Sequence, residues 1–156
     1  MNTQKQNSAK HRVGLALRRY LDADRLSKEY KPFFGCEADF LRKFVGYQFT
    51  GKMSWDNFGT VWKIGHVVPV SRFDQTKRKE LKVCWNWVNL RPVRDSQVRR
   101  HYSGVEAIRI LEWRYQFFKD NPAIEELLLR AQAMADEEVQ EMTDWTMFPV
   151  EQFGNQ

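Results

Sequence analysis

Trp62-Lys63-Ile64-Gly65-His66-Val67-Val68-Pro69 is the stretch on which the reading of this chain turns. Its first part is rich in β-formers, and Pro69, which has no backbone N–H to donate, closes it, so a strand is predicted over 62–67. His66 then falls at a strand end, where an imidazole has room to emerge. A lone histidine is more often structural than catalytic, so its neighbours decide. On the C-terminal side, Val83-Cys84-Trp85-Asn86-Trp87-Val88 reads as a second strand and ends at Asn89-Leu90-Arg91-Pro92. After Pro92, residues 94–102 read as a helix with Arg94, Arg99 and Arg100 on its surface. The order predicted for 60–102 is strand, strand, helix.

On the N-terminal side, Val13, Leu15, Ala16 and Tyr20 lie among His11, Arg12, Arg18 and Arg19, a short basic helix over 9–21. Glu37 to Phe49 carries Phe40, Leu41, Phe44, Val45 and Gln48 at helical spacing, with Arg42 and Lys43 facing away. Beyond 103, Val105, Ile108, Leu111, Tyr115 and Phe118 mark one apolar face. Asn121-Pro122 supplies an N-cap and a first-turn proline. A second face follows, with Ile124, Leu127, Leu128, Ala131, Met134 and Ala135, running toward Met142. Two amphipathic helices in a hairpin with an acidic outer surface are expected, and residues 143–156 read as irregular.

The chain has 156 residues, enough for one compact core, and 42% of them are apolar against 29% charged. No apolar run reaches the roughly 18 residues of a membrane span, and the polar start has no signal-peptide stretch. Two cysteines, Cys36 and Cys84, make neither a disulfide framework nor a four-thiolate zinc site. A soluble, cytoplasmic protein with reduced thiols is expected. Net charge is +5 but unevenly spread: residues 1–100 hold 21 Lys and Arg against 9 Asp and Glu, and residues 101–156 hold 4 against 11. A basic body suggests an anionic partner, most often nucleic acid.

Phe34-Gly35-Cys36, the run Gly51 to Gly59, Trp62 to Pro69, Phe73-Asp74 and Cys84 to Pro92 together resemble, in order and spacing, the HNH (ββα-metal) endonucleases of phages and large DNA viruses. The resemblance spans residues 34 to about 101. It implies an α+β fold: a ββα-metal (HNH-like) core over 34–103, flanked by a basic helical segment over 1–33 and an acidic helical hairpin over 104–156. It also implies a phage or viral source, and therefore the cytoplasm of a host cell. By resemblance His66 matches the general base that deprotonates water for attack on a phosphodiester, and Asn89 the asparagine that braces its loop.

The family also uses one divalent cation at the scissile phosphate. Its ligand positions fall here on Gly65, which has no side chain, and on Val98; a one-residue slip gives Gln97 or Arg99, and only Gln97 has an oxygen. Asp95, His101 and Asp74 are the remaining candidates. No metal ligand is therefore assigned and no cofactor is expected; Mg²⁺ or another divalent cation is implied only if cleavage persists.

Nine basic residues follow between 72 and 100, namely Arg72, Lys77, Arg78, Lys79, Lys82, Arg91, Arg94, Arg99 and Arg100, and they are the expected phosphate contacts. Trp55, Trp62, Trp85 and Trp87 read as core rather than as base-stacking platforms. The leading expectation is a nucleic-acid-binding protein, for DNA rather than RNA, with little or no cleavage. Its alternatives are an active metal-dependent endonuclease, or a phage-encoded protein-binding module acting on a partner or a second copy through 104–156.

Overall fold

A computed structural model describes residues 3–23, 30–97 and 100–146. It is mixed α and β: helices surround one two-stranded antiparallel sheet. Helix α1 (Thr3–Ala23) outruns the predicted 9–21 at both ends. Its buried face is Ala9, Val13, Ala16, Leu17, Tyr20 and Leu21, at helical spacing, while Lys10, Arg12, Arg18 and Arg19 stay exposed. Leu15, expected on the apolar face, lies outside it. One turn, α2 (Lys31–Phe34), has Pro32 at its start, and the Tyr20 hydroxyl donates to the Cys36 carbonyl at 2.7 Å. Helix α3 (Ala38–Gly46) buries Ala38, Leu41 and Val45. Arg42, expected to face away, instead covers the Trp55 ring at 4.5 Å and donates to the Leu21 carbonyl.

Strand β1 (Trp62–His66) forms where predicted, one residue shorter, and pairs with β2 (Leu90–Arg94) in the register Trp62 to Arg94 through His66 to Leu90. The second strand is thus not at 83–88. Those residues close helix α4 (Arg78–Cys84) and open a 3-10 turn over Trp87–Asn89. Asn86 accepts from the Val88 N–H at 3.0 Å, and Asn89 reaches back to Val68 and to the Cys84 carbonyl. These bonds hold a turn where β-branched and aromatic residues favour a strand. The helix expected over 94–102 is also displaced. Arg94 ends β2, Asp95–Gln97 is a single 3-10 turn, and the helix proper, α5 (Gly104–Phe118), starts at a Ser103–Glu106 capping box.

Helix α5 and α6 (Ile124–Thr146) make the expected hairpin, with Asn121 Oδ1 accepting from the Ala123 N–H at 2.9 Å. The α6 face is as predicted, with Ile124, Leu127, Ala131, Met134 and Ala135 buried, but Met142 is exposed and the helix continues through 146. On α5 the phase differs: Gly104, Ala107, Leu111 and Arg114 are buried, while Val105 and Tyr115 are exposed. One continuous cluster draws on Leu17, Leu41, Trp62, Leu90, Leu111 and Leu127, so segments 1–33, 34–103 and 104–156 share a core. Trp62, Trp85 and Trp87 are buried in it and Trp55 packs against it, as expected. Among the described residues no helix is long and apolar enough to cross a membrane.

Candidate nucleic-acid interface

His66 ends β1, and its ring stands edge-on against Trp85 with centroids 4.6 Å apart. Its Nε2 is buried and has no hydrogen-bond partner among the described residues. A buried, unsatisfied polar atom is uncommon enough to demand an explanation. Burial, and then the Coulombic effect of neighbouring Lys10, Arg91 and His101, push the imidazole down to about 3, so it is neutral at pH 7. Asn89 is fully buried at the end of the 3-10 turn that precedes β2. Its Oδ1 accepts from the Val68 N–H at 2.8 Å, and its Nδ2 donates to the carbonyls of Val68 and Cys84 at 3.1 and 2.9 Å. With the Val67 N–H on the Asn89 carbonyl at 2.8 Å, the loop carrying His66 is fixed.

Arg91 is the second element of the site. Its Nε donates to the His66 carbonyl at 3.0 Å, a terminal nitrogen donates to the Arg100 carbonyl at 3.2 Å, and its guanidinium lies 3.8 Å over the Tyr102 ring. It therefore clamps the segment after β2 to the end of β1. Arg91, Arg100, His101 and Tyr102 line a cleft of about 260 Å³, whose one acidic lining residue, Glu106, is engaged by the Ser103 N–H at 2.8 Å. Lys10 is brought to His66 by α1, from the far end of the sequence, and no spacing motif marks it.

The donors proposed for a cation do not assemble. A side chain at Gly65 would begin 2.3 Å from Val93 Cγ2, so that position is closed by packing. Asp95 pairs with Lys63 at 2.6 Å beside Trp62, at the opposite end of β1 from His66. Asp74 binds the Thr76 hydroxyl and N–H and the Gln6 amide, and those Thr76 bonds hold its carboxyl at about 2. Among the described residues no three His, Cys, Asp or Glu side chains group as a cation site. Around His66 the acting charges are cationic, the reverse of what a hard cation needs. Val98 lies outside the described residues. Cys36 and Cys84 are free thiols pushed up to about 12, chiefly by burial, and so are poor nucleophiles.

Of the expected phosphate contacts, Arg91 and Arg100 join the cleft. Arg72 is instead paired with Glu137 of α6 at 2.6 Å. Lys77 approaches Asp74 at 3.7 Å, Arg78 lies 5.0 Å over Phe33, and Lys79 and Lys82 are exposed on α4. Arg94 sits at the far end of β2, opposite Trp62. Arg99 lies outside the described residues. The eight described ones are thus spread over several surfaces rather than one.

The chain is 39% identical over 67 residues to the uncharacterized protein L426 of Acanthamoeba polyphaga mimivirus, covering 43% of this chain and 30% of that protein. It is 34% identical over 70 residues to the uncharacterized protein L246 of the same virus, covering 45% and 31%. It therefore spans less than a third of each of these relatives. No family model matches it, and no solved structure does.

Proposed function

We propose that the chain binds nucleic acid, duplex DNA before RNA, on an HNH-like core whose cleavage chemistry is weak or lost. The observation that carries this reading is the unpartnered Nε2 of His66 amid Lys10, Arg91 and His101. A phosphodiester in the adjoining cleft meets the positive charge of Arg91 and Arg100. Its oxygens offer acceptors to those guanidinium groups. Lys10 and Arg100 are exposed and make no ion pair with a described residue, so they remain able to contact phosphate. The same field disfavours the imidazolium that a general base must become, which is why cleavage is expected to be slight.

The test is anisotropy of a labelled duplex over a salt series, with Lys10→Glu and Arg100→Glu. Affinity is expected to fall with salt, and the log–log slope to flatten by about 0.9 for each phosphate contact removed. Salt-independent binding, or affinity unchanged in the double variant, would overturn the reading. The alternative of an active endonuclease rests on the intact Asn89 brace. It wins if supercoiled plasmid is nicked with Mg²⁺ or Mn²⁺, and if chelator and His66→Ala both abolish the nicking.

A further inference from the structure

Arg91, Pro92, Val93 and Arg94 of β2 also line a groove of about 1120 Å³, bounded by α5, the C-terminal end of α3 and the loop after it. Its charged lining residues are all arginines: Arg91, Arg94, Arg109 and Arg114. Arg109, Trp113 and Phe117 follow one another at four-residue spacing, which puts them on one stripe of α5. Trp113 is 60% and Phe117 62% exposed, with ring centroids 5.0 Å apart, and Tyr47 across the groove is 89% exposed. Large aromatic faces left in water need a covering partner. Because every charge in the lining is positive, that partner is anionic.

We infer that this groove binds unpaired nucleotides, the bases stacking on Trp113, Phe117 and Tyr47 and the phosphates meeting Arg94 and Arg109. Flat aromatic platforms beside a cationic backbone track are the means by which single strands are held without regard to sequence, whereas a duplex hides the base faces inside its stack. Continuity supports the assignment: the groove and the cleft share Arg91 and Tyr102, so a strand leaving a duplex on the cleft side has a cationic path into the groove. This inference extends the nucleic-acid reading above but rests on separate residues. The competing occupant is a second copy, because Val139, Met142 and Trp145 of α6 are exposed and lie among Glu138, Glu141 and Asp144.

The experiment is anisotropy of labelled oligothymidylate and of labelled duplex with the full chain and with Trp113→Ala, Phe117→Ala and Arg109→Glu. Thermal melting and sedimentation velocity are run on the same samples. Each aromatic truncation is expected to weaken oligothymidylate binding about tenfold or more and to leave duplex binding and melting unchanged. Arg109→Glu weakens it further and flattens its dependence on salt. If the wild type binds duplex but not oligothymidylate, the groove assignment fails alone; if it binds neither, the proposed function fails as well. Equal losses on both ligands, or no loss on either, overturn the inference. A dimer that Trp113→Ala dissociates, with oligothymidylate affinity unchanged, gives the groove to the second copy.

Discussion

Folding buries the imidazole of His66 beside Lys10, Arg91 and His101 and lowers its pKa from 6.5 to about 3, so the unfolded chain binds more protons wherever pH lies between those values. Stability from keeping it neutral is complete above 6.5 and is lost as pH falls toward 3, at up to about 1.4 kcal/mol per pH unit. Asp74, Glu80 and Glu106 are lowered carboxyls whose stabilisation persists until pH drops below 3.8 for the first and 4.5 for the other two, so the window from 6.5 to 4.5 isolates His66. Denaturant midpoints across that window are expected to fall with pH in the wild type and to stay flat in His66→Gln. A slope kept in the variant would place the titration elsewhere. Gly65 makes a second test at this scale. Its Cβ position meets Val93 Cγ2 at 2.3 Å, and valine has little rotamer freedom with which to retreat. Gly65→Asp should lower stability by about 1–3 kcal/mol in urea melts and confer no metal-dependent nicking. A stable, nicking variant would mean that only the missing carboxylate had silenced the site.

At the scale of elements, local signals were legible and distant ones were not. The β1 run and the α6 face declare themselves because strand composition and helical period are written in adjacent residues. The His66–Asn89 bend was legible only through resemblance, since no composition or period links its two ends. The false strand at 83–88 shows the limit: Val83, Trp85 and Trp87 favour β locally, but the buried carboxamide of Asn89 bonds Val68 and Cys84 and imposes a turn. The phase of α5 was misread because its buried line includes Gly104 and Arg114, neither of which carries an apolar signal. Gly104 is needed where α6 crosses, since a Cβ there would stand 2.2 Å from the Ala135 nitrogen. Arg114 is buried without a carboxylate and donates instead to the carbonyls of Val88 and Leu90 and to Gln48 Oε1. Removing it strands three acceptors at the junction of α3, β2 and α5, so Arg114→Leu is expected to cost about 2–4 kcal/mol in chemical denaturation. A loss under about 0.5 kcal/mol, the range of ordinary surface changes, would show that water replaces the guanidinium there.

Over the whole molecule, the charge asymmetry invites division into a basic binding body and an acidic appendage, and the packing argues against it. Ile124, Leu127 and Ala131 of α6 are fully buried in the cluster that holds Leu17, Trp62 and Leu90. Acidic side chains of α6 also tie it to the rest of the chain: the exposed Glu137 pairs with Arg72, and Glu138 accepts from the Gly104 N–H at 2.8 Å. Arg130 of the same helix pairs with Glu80 at 2.6 Å and covers Phe73 at 4.5 Å. The acidic helices therefore complete the core beneath the basic surface. Burial of a large apolar side chain is worth about 1.5–3 kcal/mol, and a domain has only about 5–15 kcal/mol in all. Loss of Ile124, Leu127 and Met134 together, with Leu111 and Ala107 uncovered, consumes most of that margin. Truncation after Asp120 is accordingly expected to abolish the cooperative thermal transition and the near-ultraviolet tryptophan signal, and the proposed nucleic-acid binding with them. A truncated chain that still melts cooperatively and binds duplex would make residues 121–156 a separable module, and would return the acidic hairpin to candidacy as the surface for a protein partner.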